Sequence, residues 1–345
     1  MDGCKIYRHW DVTYYFFPVA VLYWEDAIAD EDATTADGRT LLMHACAQCD
    51  VERHRVADIV KYLVDELRAD LTAVDHHGRT ALYHAVESGQ LDAATYLLGR
   101  PPSRQCLVNV DGRSLLVAAV QAGRPEVVSL LLESSSIGRQ LTAVTDASGR
   151  GPVHHWVTSL EDSTPDEKSR RSAVLLDLVA HRCDVNSAWP SLRGCDVNAA
   201  DNDGVTPLML ASGAGRAAAV AALLQLRDGA TSSVEVDAVD SVGRTALHHC
   251  CASVPPSLRC CRALVRSAAN ANVDDASGVT PLMLACQAYV PGANVAVIRY
   301  LVEKGSADPV KQDSEGRDSY DYCPPIDSQY VRAVLRSASG IYCIR

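Results

Sequence analysis

The sequence predicts an all-α repeat solenoid of about eight helix-pair units. Three observations predict it. A glycine followed by one variable residue, a Thr- or Ser-type residue and a short apolar run returns along the chain at spacings of 40, 34, 37, 55, 39, 35 and 38 residues. Behind each glycine the apolar residues recur three and four apart, the period of a helix lying on a core. No single unit of this length buries both of its faces, so successive units must stack.

The turn comes first in each unit. Its glycines are Gly38, Gly78, Gly112, Gly149, Gly204, Gly243, Gly278 and Gly316. Glycine takes the positive φ of a tight turn, and an Asp or Asn just before it, as in Asp37-Gly38 and Asp111-Gly112, favours the same turn. A hydroxyl such as Thr206 or Thr280 then caps the first helix, and Pro207 or Pro281 occupies a helix start that tolerates proline. That helix carries small residues (Ala45-Cys46, Ala85-Val86, Ala119-Val120, Ala211-Ser212, Ala285-Cys286), which let neighbouring helices approach closely. A second helix follows, with aliphatic spacing at Val127, Val128, Leu130, Leu131 and at Ile298, Leu301, Val302. It closes on phrases such as Ala69-Asp70, Cys183-Asp184-Val185-Asn186 or Cys195-Asp196-Val197-Asn198.

Read together, Gly-x-Thr-Pro-Leu, a small-residue helix, a second helix and a closing Asp-Val-Asn are similar to the ankyrin repeat. The resemblance implies units of a hairpin turn plus two antiparallel helices, a concave face formed by hairpin tips and first helices, and a role in protein–protein recognition. It covers residues 36–337, with repeats beginning near 36, 76, 110, 147, 202, 241, 276 and 314. Residues 1–35 are then an apolar cap or degenerate half-repeat, and residues 338–345 a tail.

The fourth unit departs from the pattern. Trp156 stands where the first small Ala belongs and Gly151 where the capping Thr belongs, which speaks against tight helix packing there. Its long spacing points to irregular insertions at residues 158–172 and 187–194, or to a concealed half-repeat. In the last unit Pro324-Pro325 interrupt the first helix, and Tyr330, Val331, Val334 and Leu335 space out a helix expected to cap the array.

Composition narrows the function classes. A formal charge of −11 and a pI near 5.4 argue against a nucleic-acid surface and against adhesion to anionic lipid. The 13 cysteines are scattered among apolar helical positions, the usage of reduced, buried thiols, and no Asn-x-Ser/Thr acceptor occurs; both fit a cytoplasmic or nuclear protein. The apolar stretch Val12 to Trp24 is too short to span a bilayer, for which about 20 residues are needed. Asp2, Asp11, Pro18, Glu25 and Asp26 fit a secretory signal poorly, so a cap over the first repeat is the favoured reading.

Three constellations imitate chemistry. His248-His249-Cys250-Cys251 with Cys260-Cys261 has zinc-type ligands, but successive residues on a helix point in different directions, and the positions fall on the repeat's core. Cys46-Ala47-Gln48-Cys49 has redox spacing late in a helix, where such motifs do not act. Gly213-Ala214-Gly215-Arg216-Ala217-Ala218 imitates a dinucleotide loop but follows a helix rather than a strand. No common catalytic signature is present, so neither an enzyme nor a cofactor is expected.

The expected activity is that of a scaffold, adaptor or inhibitor that holds a segment of another protein in the concave groove. The alternative is a targeting subunit of an enzyme complex, such as a ubiquitin-ligase substrate receptor. The residue after the repeat glycine, which the resemblance puts beside the concave face, is arginine in six of the eight units: Arg39, Arg79, Arg113, Arg150, Arg244 and Arg317. These arginines either pair with nearby Asp such as Asp37 or Asp111, or form a row. Arg79, Arg113 and Arg150, from successive units, would make a row ~20 Å long at helix spacings of ~10 Å. Such a row favours an acidic or phosphorylated segment, since guanidinium binds both groups by paired hydrogen bonds. His76, His77, Glu87, Ser88, Gln121 and Ala122 are the neighbouring groove candidates. Thr164 and Ser172 are possible phosphorylation sites in the insertion, and by resemblance Asn186 is a candidate for asparaginyl hydroxylation.

Overall fold

The computed structural model describes residues 34–48, 53–100, 107–133, 137–159, 170, 173–175, 177–178, 195–226, 234–288, 294–324 and 329–338. The apolar stretch at 12–24, Cys49, Pro325, the insertion at 187–194 and the candidate modification sites Thr164, Ser172 and Asn186 lie outside these residues. The chain divides into two compact units, residues 1–144 and 145–345.

The first unit contains α1 (Leu41–Cys46), α2 (Arg53–Asp65), α3 (Ala81–Ser88), α4 (Leu91–Leu98), α5 (Leu115–Gln121), α6 (Pro125–Glu133) and a short α7 (Gly138–Ala143). First helices pack in series, α1 on α3 and α3 on α5, and second helices do likewise, α2 on α4 and α4 on α6. The small residues make this possible: Ala45, Cys46, Ala85, Val86, Ala119 and Val120 are all buried. Caps follow the sequence. Thr40, Thr80 and Ser114 each accept the backbone N–H three residues on, from Met43, Tyr83 and Val117.

In the second unit the described helices are α8 (Pro152–Thr158), α9 (Pro207–Gly213), α10 (Ala217–Gln225), α11 (Ala246–Ala252), α12 (Leu258–Arg266), α13 (Pro281–Gln287), α14 (Val295–Glu303) and α15 (Gln329–Ala338). The same two layers recur, α8, α9, α11 and α13 in one and α10, α12 and α14 in the other, with α15 packed on α14. Val331 and Leu335 of α15 are buried, while Tyr330 is exposed.

Within each compact unit, neighbouring turns are joined by a backbone hydrogen bond. In the first unit His76 N–H donates to Asp37 O and Val110 N–H to His77 O; in the second, Asn202 donates to Ser148, Ser241 to Asp203, Ala276 to Val242 and Ser314 to Ser277, at 2.8–3.1 Å. Two consequences follow for the fourth unit. Ser148 and Asn202 are direct neighbours, so no further turn stands between them despite the long spacing. The closing position also moves: Cys195 N–H donates to Leu178 O, as Ala69 does to Leu63, Ala269 to Leu264 and Ala307 to Leu301. The working phrase is therefore Cys195-Asp196-Val197-Asn198, and part of the excess chain lies between Leu178 and Cys195, which are 17 residues apart where the other pairs are five or six apart.

Tight packing around Trp156, unexpected from the sequence, is present: the indole is 1% exposed and α8 packs on α9. Gly151 has no side chain with which to cap, and its own N–H is taken up by His154. Its Nδ1 accepts the Gly151 N–H at 3.3 Å, and its Nε2 donates to Val205 O at 3.0 Å in the next turn. His248 repeats the arrangement, with Nδ1 near Thr245 N and Nε2 on Val279 O. An imidazole making both bonds is neutral, and burial holds both residues below the ordinary histidine range.

Candidate functional site

Each turn is organised by the residue four positions before the one that follows the repeat glycine, which is the arginine in six units. In the second turn Asp75 Oδ1 accepts the N–H groups of His77 and Arg79, both at 2.9 Å, which folds the chain back over Gly78. Asp146, Asp201, Asp240, Asp275 and Asp313 do the same in the second unit. Nine residues further on, a side chain returns to the other carboxylate oxygen, from the first helix in three turns and from a turn residue in the last. His84 Nε2 meets Asp75 Oδ2 at 3.1 Å, His155 meets Asp146 at 3.0 Å, His249 meets Asp240 at 2.9 Å, and Tyr322 supplies its hydroxyl to Asp313 at 2.7 Å. Carboxylate, turn and first helix are thereby stapled together.

This staple decides what the arginines do. Arg79 Nε donates to its own Asp75 Oδ2 at 2.9 Å and its Nη1 stands 3.6 Å from Glu87; Arg317 Nε donates to its own Asp313 at 2.9 Å. Where a histidine occupies the turn's own carboxylate and the next one lacks a histidine, the arginine crosses to the next turn: Arg150 Nε reaches Asp201 at 3.3 Å and Arg244 Nε reaches Asp275 at 3.5 Å. The carboxylates engaged are thus turn-opening aspartates rather than Asp37 or Asp111. Four of the six arginines are ion-paired to turn aspartates. The residues four before Arg39 and Arg113 are Thr35 and Asn109, which accept the backbone N–H but offer no carboxylate. Neither guanidinium has an ion pair among the described residues.

The sequence candidates thus differ in their surroundings. Arg150, Arg244 and Arg317 belong to the second unit, and each is ion-paired there. In the first unit His77, Arg79, Glu87, Arg113 and Gln121 do come together, lining a groove of about 320 Å³ between the second and third turns with Ala122 at its edge. His76 and Ser88 are not in its lining; the His76 N–H is spent on Asp37 O.

Four further lining residues were not singled out as groove residues from the sequence: Tyr83, Asn109, Asp111 and Ala118. The signal for two of them was available. Asn109 breaks the Asp that opens most turns, and Ala118, nine residues later, breaks the His, Leu or Tyr that follows. Tyr83 is 5% exposed, and burial, with Glu87 close by, pushes its phenol up to about 12. It is protonated at neutral pH and available as a donor.

The zinc-like group separates into structural roles. His248 links two turns, His249 staples Asp240, and Cys250, Cys251, Cys260 and Cys261 are fully buried, with Cys250 Sγ 3.6 Å from Ser257 O. Among the described residues no group of three or more His, Cys, Asp or Glu is placed to hold a metal ion.

Comparison with known proteins agrees with this geometry. A family model described as ankyrin repeats (3 copies) matches residues 19–105, 176–270 and 232–313. The chain belongs to the ankyrin-repeat family. Ankyrin repeats generally mediate protein–protein interaction. Among solved structures, the crystal structure of the ankyrin repeat domain of Bcl-3, described as a unique member of the IkappaB protein family, is similar in fold. The TM-score is 0.55 at 23% identity, over 76% of this chain and 99% of that one. No helix among the described residues of the ankyrin chain is long and apolar enough to cross a membrane.

Proposed function

We propose that this chain is a non-enzymatic protein-binding module, a scaffold, adaptor or inhibitor of the cytoplasm or nucleus. It takes a segment of another protein along the turns and first helices of its first unit and holds an acidic stretch of that segment against Arg113. The observation that carries this reading is the exposed Arg113 guanidinium, which lines a groove and has no carboxylate partner among the described residues, while four of its counterparts are paired. An unpaired guanidinium beside polar groups recognises carboxylate by charge-assisted hydrogen bonds, and it is more weakly hydrated than an ammonium, which lowers the cost of stripping its water. The net charge of −11 supports a protein partner over a nucleic acid. The eight described cysteines, all free and buried, support a reducing compartment.

The test is co-purification from cells, read by quantitative mass spectrometry, with Arg113→Glu compared against Arg259→Glu, an exposed arginine of α12 in the second unit. Clients lost with Arg113→Glu and kept with Arg259→Glu support the reading. Clients retained at the wild-type level by Arg113→Glu overturn it.

A further inference from the structure

The groove exists because one staple has been deleted. In the second turn Asp75 presents Oδ2 to Arg79 and to His84, and the space above the turn is filled by the imidazole. In the third turn both halves of that arrangement change at once. Asn109 keeps the fold-making half, its Oδ1 accepting the Arg113 N–H at 2.9 Å, but an amide nitrogen now stands where the second carboxylate oxygen would be. Nine residues later the side chain is a methyl group, that of Ala118, so nothing from the first helix returns to the turn. An acceptor has become a donor, a guanidinium has lost its counter-ion, and the imidazole's space is open.

The groups left around that space are complementary to one ligand chemistry. Arg113 and the Asn109 amide donate, and the Tyr83 phenol, protonated at neutral pH, is a further donor in the same lining. The Asn109 amide is oriented by its bond to the Arg113 N–H, so its nitrogen is the remaining end, and its only other contact is a long one, 3.5 Å to Asp111. Glu87 and Asp111 in the same lining limit how much negative charge the groove accepts. Arg79 in the lining is already paired with Asp75 and Glu87, so a ligand meets one guanidinium without a counter-ion; a dianionic phosphate brings twice the charge of a carboxylate past the same two acids.

We propose that the groove between the second and third turns is a receptor for one carboxylate side chain, an Asp or Glu of the bound segment, which supplies in trans the staple that Asn109 and Ala118 have removed. This rests on the binding function proposed above and names the group recognised at Arg113. The occupant takes the place of a turn aspartate of the protein's own fold, held by guanidinium and amide as Asp75 is held by Arg79 and His84.

The test uses the full chain labelled with ¹⁵N, titrated with N-acetylglutamate methylamide, its glutamine counterpart and N-acetylphosphoserine methylamide, and observed at the Arg113 Nε–H and the surrounding amides. The glutamate probe should give saturable shifts at Arg113, with the glutamine probe weaker by about tenfold, the worth of one hydrogen bond to a charged group. The phosphoserine probe should bind more weakly than glutamate. Asn109→Asp with Ala118→His rebuilds the staple and fills the groove, and it should abolish the shifts; Asn109→Asp alone, which needs no added volume, should do so as well. The proposal is overturned by a wild-type Arg113 that does not respond, by equal binding of the glutamine probe, by tighter binding of phosphoserine, or by undiminished binding to Asn109→Asp. A chain that loses clients with Arg113→Glu but ignores the glutamate probe contradicts this inference alone. One that binds the probe but keeps its clients contradicts the function alone.

Discussion

At the scale of residues the molecule is governed by who holds each turn's second carboxylate oxygen. Burial, with Arg79 and Arg39 adding to it against the pull of Asp75, holds His84 down at about 4. The unfolded imidazole takes up its proton near 6.5 and the folded one only near 4, so this stability is complete above about pH 6.5 and is lost as the pH falls toward 4. For so buried a group the loss is on the order of 3 kcal/mol. Urea unfolding at pH 7.5 and pH 4 should show it, and His84→Gln should reduce the difference. Rebuilding the missing staple with Asn109→Asp and Ala118→His should raise the thermal midpoint, by a few degrees for each kcal/mol gained. Calorimetry checks this, and a lowered midpoint would mean that the third turn has no room for the pair. The six arginines were legible as a repeated surface feature, but their functions were not. Which of them is ion-paired depends on residues four before and nine after, and the contrast between Arg79 and Arg113 lies in Asn109 and Ala118, outside the motif that makes the repeat visible.

Among the elements, first-helix starts and turn glycines were the most readable, because each is fixed by local chemistry. Thr206 and Thr280 cap α9 and α13 through the N–H groups of Met209 and Met283. Thr280→Ala should cost about 1 kcal/mol in denaturant unfolding, the usual worth of an N-cap hydroxyl. Gly278 has φ of +77°, and a Cβ there would stand 2.8 Å from the backbone nitrogen of Ser314 in the next turn. Gly278→Ala combines backbone strain with a clash at a junction between turns, so it should cost more than the cap mutation, about 2 kcal/mol or above. Equal or smaller loss would show that the junction relaxes freely. The fourth unit was read less well. Trp156 violates the small-residue rule yet is buried, because packing depends on the space available across two helices and not on one position's usual size. The duplicated Cys-Asp-Val-Asn phrase had two equivalent readings on paper, and only the hydrogen bond from Cys195 to Leu178 distinguishes them.

For the whole molecule, the all-α solenoid and its ankyrin-type units were legible, since repetition multiplies a weak local signal. The division into residues 1–144 and 145–345 was not, because it depends on tertiary contacts that the repeat motif does not encode. Thiol chemistry offers a measurement at this scale. Burial pushes Cys46 and Cys195 up to about 12, and Cys250, Cys251, Cys260, Cys261, Cys286 and Cys323 are buried as well. Iodoacetamide applied to the native protein, with the sites mapped by mass spectrometry, should leave all eight unmodified and label them after denaturation. Rapid native labelling at Cys251 or Cys286 would show that the second unit opens far more readily than its packing implies.

The hydrogen bond from Asn202 to Ser148 means that the stack keeps count of turns rather than of residues. The chain can depart after one helix pair and return at Cys195 with the next turn in the place an ordinary spacing would give it. The number of residues between Leu178 and Cys195 therefore does not decide where the next turn stands: the same pairing of turns that spacings of 34 to 40 residues produce is reached here across 55.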